Sequence, residues 1–210
     1  MATETTHKSR PDATREGGEQ QSPPHGRRTA RERLLAAANE LFYAEGVQTV
    51  GIDRIIERAG VAKASLYNSF RSKEDLVQAY LRSRHDGTTE RLTDAINQHH
   101  DPRERLLAVF DSQAQLVAEP DFNGCAIVNA TAEVHGSLID QAADEFRVWV
   151  RTMFTDLAQQ AGAKNPTQLG QQLHLIYDAV ALSGRMDHDA STVTAARAAV
   201  EALLDAAIKP

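Results

Sequence analysis

The sequence lacks several features that define large classes of proteins. Its 210 residues contain a single cysteine, Cys125, so no disulfide can form within the chain and a reducing compartment is expected. No apolar run reaches the ~18 residues that a membrane-spanning helix needs, and the N-terminus lacks the charged-then-apolar order of a secretory signal. We therefore expect a cytoplasmic protein that has no membrane partner.

Common enzyme motifs are also missing. We find no G-x-S-x-G, H-E-x-x-H, P-loop or Rossmann glycine pattern, and the histidines do not have the spacing of metal ligands. We predict that the chain is not an enzyme and that it holds neither a cofactor nor a metal. The alternative is an enzyme or a redox switch that uses Cys125, although no Lys or Arg lies near it in the sequence to lower the thiol pKa.

The charge is unevenly distributed along the chain. The net charge is -6, yet residues 27–85 hold 11 Lys and Arg against 7 Asp and Glu, a net charge of +4. Residues 86–210 hold 9 against 18, a net charge of -9. Because the basic charge is segregated, the N-terminal part is the candidate for binding an anionic partner such as nucleic acid.

No segment alternates with the period of a strand, so the whole chain is predicted to be α-helical. Residues 1–26 are polar and rich in Gly, Pro, Ser and Thr, which indicates a disordered tail. Two domains are predicted to follow, over residues 27–86 and 87–210. Polar residues that can cap a helix mark the predicted helix starts, namely Thr29 with Glu32, Thr49, Ser72 with Asp75, Asp101 with Pro102, Ser137 with Asp140, and Asn165 with Pro166.

The most informative segment is TVGIDRIIERAGVAKASLYNSFRSKEDL, from Thr49 to Leu76. Its apolar spacing predicts a short helix, a glycine-led turn at Gly60, a second short helix, and the start of a long third helix. The second helix carries Lys63, Ser65, Tyr67 and Asn68 on a scaffold small enough to enter a DNA major groove.

This segment, with the upstream LLAAANELFYAEGVQTV, resembles the helix-turn-helix of TetR-family transcriptional regulators. The resemblance covers roughly residues 27–86. It implies an all-α fold in which a three-helix DNA-binding domain precedes a helical bundle for ligand binding and dimerisation. It also implies that the DNA contacts come from Thr49, Lys63, Ala64, Ser65, Tyr67, Asn68 and Lys73. The alternative is that Tyr67 and Lys73 only pack and interact with solvent.

Two residues depart from the family pattern. Ala62 replaces a frequent serine, so the second helix loses a side-chain cap worth about 1 kcal/mol. Ser69 replaces a frequent aromatic or histidine that would contact a phosphate. Arg27 and Arg28 can be interpreted as a minor-groove arm or as a solvated linker.

In the C-terminal region, Cys125, Asn129 and Glu133 are spaced by four residues along an otherwise apolar helix. They are candidates for a ligand-binding wall, with Phe110, Trp149 and Tyr177 as candidate apolar lining. The alternatives are that these three polar side chains bond to neighbouring helices or point to water, and that the aromatic residues belong to the hydrophobic core. Because this region is acidic and Glu133 is among the candidates, a cationic or hydroxylated ligand is expected rather than a strongly anionic one.

Two late helices carry apolar stripes, one over Leu169, Leu173, Ile176, Tyr177 and Val180 and one from Val193 to Leu204. In the TetR family the corresponding pair forms a four-helix dimer interface; burial within one subunit is the alternative. The expected function is a homodimeric repressor that binds a palindromic DNA operator and is released by a small-molecule effector. A ligand-independent or activating regulator is the second hypothesis.

Overall fold

Helices make up nearly all of the regular structure. The computed structural model describes Met1 and residues 28–187 and 190–208. Apart from one isolated bridge between Ala163 and Ile208, the regular elements of these residues are α1 (Ala30–Glu45), α2 (Ile52–Ala59), α3 (Lys63–Ser69), α4 (Lys73–Asn97), α5 (Pro102–Val117), α6 (Ala126–Glu133), α7 (Ser137–Gln160), α8 (Pro166–Asp187) and α9 (Ala190–Ala207). The predicted all-α fold is confirmed. The predicted disordered tail lies outside the described residues, apart from Met1, as does Arg27.

Several helix starts are determined by local sequence. Thr29 and Glu32 form a reciprocal capping box at α1, and Ser72 accepts the backbone N–H of Asp75 at α4. Asp101 caps α5 by accepting two N–H groups, with proline at the first position of the helix. These predictions are confirmed because a cap needs only residues within three positions of one another.

Two predicted starts are wrong. The N-cap of α2 is Gly51, and Thr49 lies two residues earlier in an exposed turn. The N-cap of α7 is Gly136 rather than Ser137, and no side chain from its own turn caps it. Instead, Glu74 of α4 accepts the N–H of Leu138 at 3.4 Å. A distant carboxylate has taken the place of the local cap, and an anion at a helix N-terminus is favourable there.

Helices α1–α3 form a compact unit around an apolar centre. Leu34, Ile55 and Leu66, one from each helix, are fully buried. Gly60 ends α2 with a left-handed backbone (φ +61°), and its N–H donates to Ile56 and Glu57 carbonyls. Arg33 of α1 donates to the Gly60 carbonyl at 3.2 Å. The turn between α2 and α3 is therefore held from both sides, which sets the direction of α3.

Replacing Gly60 by alanine is expected to lower the free energy of unfolding by about 1–2 kcal/mol, because a Cβ disfavours the left-handed conformation. The same substitution at Gly87, inside α4 where a Cβ would meet only open space, is expected to raise it by about 0.5–1 kcal/mol. Urea unfolding of both variants at one protein concentration tests the pair. Equal stability of Gly60→Ala and the wild type contradicts the assignment.

The remaining helices form a bundle whose centre is aromatic. Phe154 of α7 is fully buried, with its ring centroid 5.7 Å from that of Phe110 and 5.9 Å from that of Tyr177. Helix α4 belongs to both parts of the molecule, because it contacts α1 and also packs on α5 and α7. The boundary predicted between residues 86 and 87 thus falls within one continuous helix.

No helix in the described ranges is long and apolar enough to cross a membrane.

The late helices, α8 and α9, each bury one side. In α8, Leu169, Leu173, Tyr177 and Val180 are buried, as are Val200 and Leu204 in α9. The opposite side of α8 leaves large apolar side chains, Leu175, Leu182 and Met186, exposed to solvent. Burial within one subunit therefore accounts for only one side of each helix.

Candidate nucleic-acid interface and interhelical cavity

Helix α3 presents a polar side to solvent. Lys63, Ala64 and Asn68 are exposed, and Tyr67 is 52% exposed although it is a large aromatic residue. Ser65 is half-buried, and Leu66 points into the core. We call Lys63, Ala64, Tyr67 and Asn68 the exposed α3 face. It carries an ammonium, a hydroxyl and an amide, which are groups that bind phosphates and base edges.

The charge of Lys63 is paired within the molecule. Its Nζ lies 2.9 Å from Oδ1 of Asp53 on α2, and this hydrogen bond raises the pKa of Lys63 above its usual value. Both side chains are well exposed, so the pair is readily broken by competing ions. Lys63 is therefore charged and available to a phosphate that replaces Asp53.

Lys73 has a different environment. It is the first residue of α4 and lies half-buried with its Nζ 6.0 Å from the centre of the Phe42 ring. Burial lowers the pKa of Lys73, while the carboxylate of Glu133 acts in the opposite direction. Lys73 thus lies close to the contact between α6 and the N-terminal helices, in addition to its predicted position at a helix start.

The departures at Ala62 and Ser69 have visible consequences. Ala62 is the N-cap of α3 and provides no side-chain hydrogen bond, as predicted. The Ser69 hydroxyl donates to the Ser65 carbonyl at 2.7 Å. This hydroxyl is occupied within its own helix, as is common for serine near a helix terminus.

A cavity of about 330 Å³ lies where α1, α4, α5, α6, α7 and α8 meet, and we call it the interhelical cavity. Its apolar walls come from Leu116, Phe122, Ile127, Phe146 and Tyr177. Its polar lining includes Tyr43, Arg84, Arg91 and Gln113. A cavity of this size with apolar walls and a few polar groups is typical of a small-molecule site.

The six candidate ligand-binding residues do not surround one site. Of the six, Cys125 and Tyr177 line the interhelical cavity, and the neighbouring Phe146 lines it as well. The other four candidates do not line it. Phe110 is core, stacked on Phe154. Trp149 is half-buried and packs against His85 and Phe146. These positions correct the predicted lining, because helical spacing does not show which face of a helix meets a cavity.

The three residues of the predicted polar stripe, Cys125, Asn129 and Glu133, have different surroundings. Cys125 lines the cavity. Asn129 donates to the Asn123 carbonyl at 2.7 Å and accepts from Arg185. Glu133 accepts the backbone N–H of Gln48 at 2.9 Å, and its carboxylate lies against Gly46. Glu133 therefore joins the end of α6 to the turn that precedes α2. It does not line the cavity, and this removes one of the two observations on which a cationic ligand was expected, the other being the acidic charge of the C-terminal region.

This geometry has counterparts among known proteins. The sequence model of the family described as bacterial regulatory proteins, tetR family, matches residues 34–80. A crystal structure of a TetR-family transcriptional regulator from Streptomyces coelicolor is similar over 86% of this chain and 96% of its own, with a TM-score of 0.80 and 32% identity. This chain belongs to the TetR family.

Curated relatives match over part of the chain. The HTH-type transcriptional activator FasR of Mycolicibacterium smegmatis is 33% identical over 112 residues, which is 53% of this chain and 51% of that protein. The HTH-type transcriptional repressor NemR of Escherichia coli K12 is 31% identical over 112 residues, 52% of this chain and 56% of that protein. The chain thus spans about half the length of the curated relatives it matches. They include an activator and a repressor.

Several cavity residues of this TetR-family protein were missed by the sequence analysis. Arg84 and Arg91 lie seven residues apart on α4, on the same side as the buried Tyr80 and Leu92. Arginines on a core-facing stripe, where apolar residues are expected, were the available signal. Gln113 gave no such signal, because a single buried amide on α5 does not disturb its apolar pattern.

Cys125 lines the cavity as the N-cap residue of α6. Burial raises the pKa of its thiol, although backbone N–H groups of Val128 and Ile127 act in the opposite direction. A raised pKa disfavours the reactive thiolate. No group of three or more His, Cys, Asp or Glu side chains that could hold a metal occurs in the part of the chain that the structure describes.

Proposed function

We propose that this TetR-family chain is a cytoplasmic homodimeric repressor that binds a palindromic operator and is released when a small molecule occupies the interhelical cavity. The observation that carries the proposal is the position of this cavity. Its walls include Asn39 and Tyr43 of α1 as well as α6 and α8. A ligand there touches both the N-terminal unit and the C-terminal bundle.

The exposed α3 face supports the DNA-binding half of the proposal. In a helix-turn-helix the second helix lies in the major groove and residues near its N-terminus contact base edges. Lys63, Ala64 and Ser65 occupy the first turn of α3, and Asn68 follows one turn later. In the proposed complex these residues face bases and nearby backbone, Tyr67 donates its hydroxyl to a phosphate, and Thr49 and Lys73 contact phosphates on either side.

The exposed side of the late helices supports the dimer. Leu175, Leu182 and Met186 follow one another at seven and four residues along α8, and all are more than half exposed. Helix α9 adds exposed small residues at Ala195, Ala199 and Ala202. An apolar stripe beside a surface of small side chains suits close packing with a two-fold mate. Two subunits then present two α3 helices, about 34–36 Å or a multiple apart, to one face of the DNA.

The contacts of α6 provide a route for release. Its first residues, Ala126 and Ile127, line the cavity, while its last residue, Glu133, accepts the N–H of Gln48 in the turn before α2. A ligand that favours a different position of α6 therefore also acts on the α1–α3 unit. Coupling of this kind requires a ligand with different affinities for two arrangements.

Replacing Lys63 by alanine and Tyr67 by phenylalanine together is expected to weaken operator binding at least 10-fold, because each subunit loses two phosphate donors, the Lys63 ammonium and the Tyr67 hydroxyl. The dependence of log K on log salt concentration should become shallower by about one for each lysine removed. A gel shift with the DNA upstream of the chain's own gene measures both effects.

Lys164→Ala is the matched control, since it removes an exposed lysine from the C-terminal bundle. It should bind the operator like the wild type. Binding that survives the double substitution contradicts the residue assignment.

An activating regulator is the second hypothesis, favoured by the similarity to FasR, which is described as an activator. A reporter behind the bound promoter distinguishes the two. Deleting the gene for this chain raises reporter expression if the chain represses and lowers it if the chain activates.

A further inference from the structure

The interhelical cavity carries positive charge that no acidic side chain of its lining balances. Arg84 and Arg91 line it, and none of its described lining residues is Asp or Glu. Within residues 28–187 and 190–208, neither guanidinium takes part in an ion pair. A partly buried cation without a counter-ion is costly, and a bound anion removes that cost.

Each of the two arginines keeps one buried N–H group without a hydrogen-bond partner, Nε in Arg84 and Nη2 in Arg91. Arg84 lies with its guanidinium 4.0 Å from the centre of the Tyr43 ring and donates to the Asn39 carbonyl at 3.1 Å. Arg91 donates through Nη1 to the Ser112 hydroxyl at 2.6 Å, whereas its Nη2 is buried without a partner. The free donor of Arg91 is thus a terminal nitrogen of the guanidinium, which suits a carboxylate oxygen.

An unpaired acceptor lies at the same end of the cavity. Gln113 follows Ser112 on α5, and its Nε2 donates to the Tyr177 carbonyl at 2.8 Å. That bond fixes the orientation of the amide, and its Oε1 is buried without a partner among the described residues. A buried acceptor without a partner costs free energy, and a ligand with a hydroxyl or N–H donor would remove that cost by bonding to it.

The rest of the wall is apolar. Phe146, Tyr177 and Ile127 offer ring and branched surfaces to the cavity. We propose that the effector is a small organic carboxylate whose acid group pairs with Arg91, whose donor group bonds to Gln113, and whose aromatic or aliphatic body lies on these apolar side chains. This inference rests on the proposed function and names the chemical class of its effector. It reverses the expectation of a cationic ligand.

Matched pairs of probes test the charge of the ligand. Benzoate, 4-hydroxybenzoate, phenylacetate and octanoate are each compared with the corresponding primary amide by calorimetry on the full-length protein. At least one acid should bind 10-fold or more tightly than its amide, and 4-hydroxybenzoate should bind more tightly than benzoate. Equal affinities of acids and amides, or no binding by any acid, overturn the proposal without the need for a variant.

Substitutions then test the position of the acid group. Arg91→Gln should weaken the acid at least 10-fold and leave the amide within about two-fold, while Arg91→Lys should lie between Arg91→Gln and the wild type. Arg82→Gln is the matched control, because Arg82 is an exposed arginine of the same helix whose side chain is 51% exposed. An Arg91→Gln protein that binds the acid like the wild type overturns the assignment.

A gel shift on the same preparations keeps the two proposals apart. If the wild type binds its operator but no acid, only the effector class fails. If it binds an acid but no operator DNA, the proposed regulatory function fails while the anion site stands. If the acid binds and also releases the operator, both are supported.

Discussion

Replacing Leu182 by glutamate is expected to convert the proposed dimer into a monomer and to lower operator affinity at least 100-fold. Leu182 is 57% exposed and lies on the apolar stripe of α8 with Leu175 and Met186, which are 68% and 70% exposed. In a two-fold interface each substitution appears twice, so two carboxylates are buried and repel each other. A monomer also loses the gain that comes from binding two half-sites together, typically 10²–10⁴-fold.

Light scattering measures the molar mass, and a gel shift measures the affinity. Val148→Glu provides the matched control, because Val148 on α7 is 54% exposed and lies outside the α8 and α9 surface. This control should remain dimeric and bind the operator normally. A Leu182→Glu protein that stays dimeric places the interface elsewhere on the molecule.

Replacing Phe154 by alanine is expected to lower the free energy of unfolding by about 3–5 kcal/mol. Phe154 is fully buried between Phe110 and Tyr177 at the centre of the bundle, so its removal leaves a cavity that these rings cannot fill. For a chain of this size the loss corresponds to a fall in melting temperature of about 6–20 °C. Calorimetry at one protein concentration measures it, since dimerisation makes the melting temperature depend on concentration.

The control for this substitution is Val148→Ala, which shortens an exposed side chain on the same helix. It should change the free energy of unfolding by no more than about 0.5 kcal/mol. If Phe154→Ala costs as little as Val148→Ala, Phe154 does not hold the centre of the bundle.

Both predictions depend on features that the sequence patterns define only in part. One apolar stripe on α8 was predicted, yet spacing alone did not show that this stripe packs within the subunit and that a second one, on the opposite side, is left for a mate. Leu173 and Leu175 are two residues apart and equally apolar, but one is buried and the other exposed. The neighbouring helices decide between them, and these come from distant parts of the chain.

The DNA-binding segment was predictable because its signals are local. Caps at Thr29 and Ser72, the glycine turn at Gly60, and the polar residues of α3 are each defined by neighbours within a few positions. The same dependence on local signals explains why Thr49 was wrongly predicted to cap α2. Threonine is a good cap in isolation, but the turn before α2 is held by Glu133, which lies 85 residues away from Gln48 in the chain.

The sequence by itself determined the helical class, the basic N-terminal region and the residues of the exposed α3 face, since helical periodicity, capping and charge depend on short stretches of chain. Only the tertiary structure decided the proposed ligand site. Arg84, Arg91 and Gln113 meet Tyr43 and Tyr177 because α1, α4, α5 and α8 converge. The cost of burying a charge depends on what surrounds it. The packing of distant helices therefore determines which charges lack a partner, and so which ligand the cavity is suited to bind.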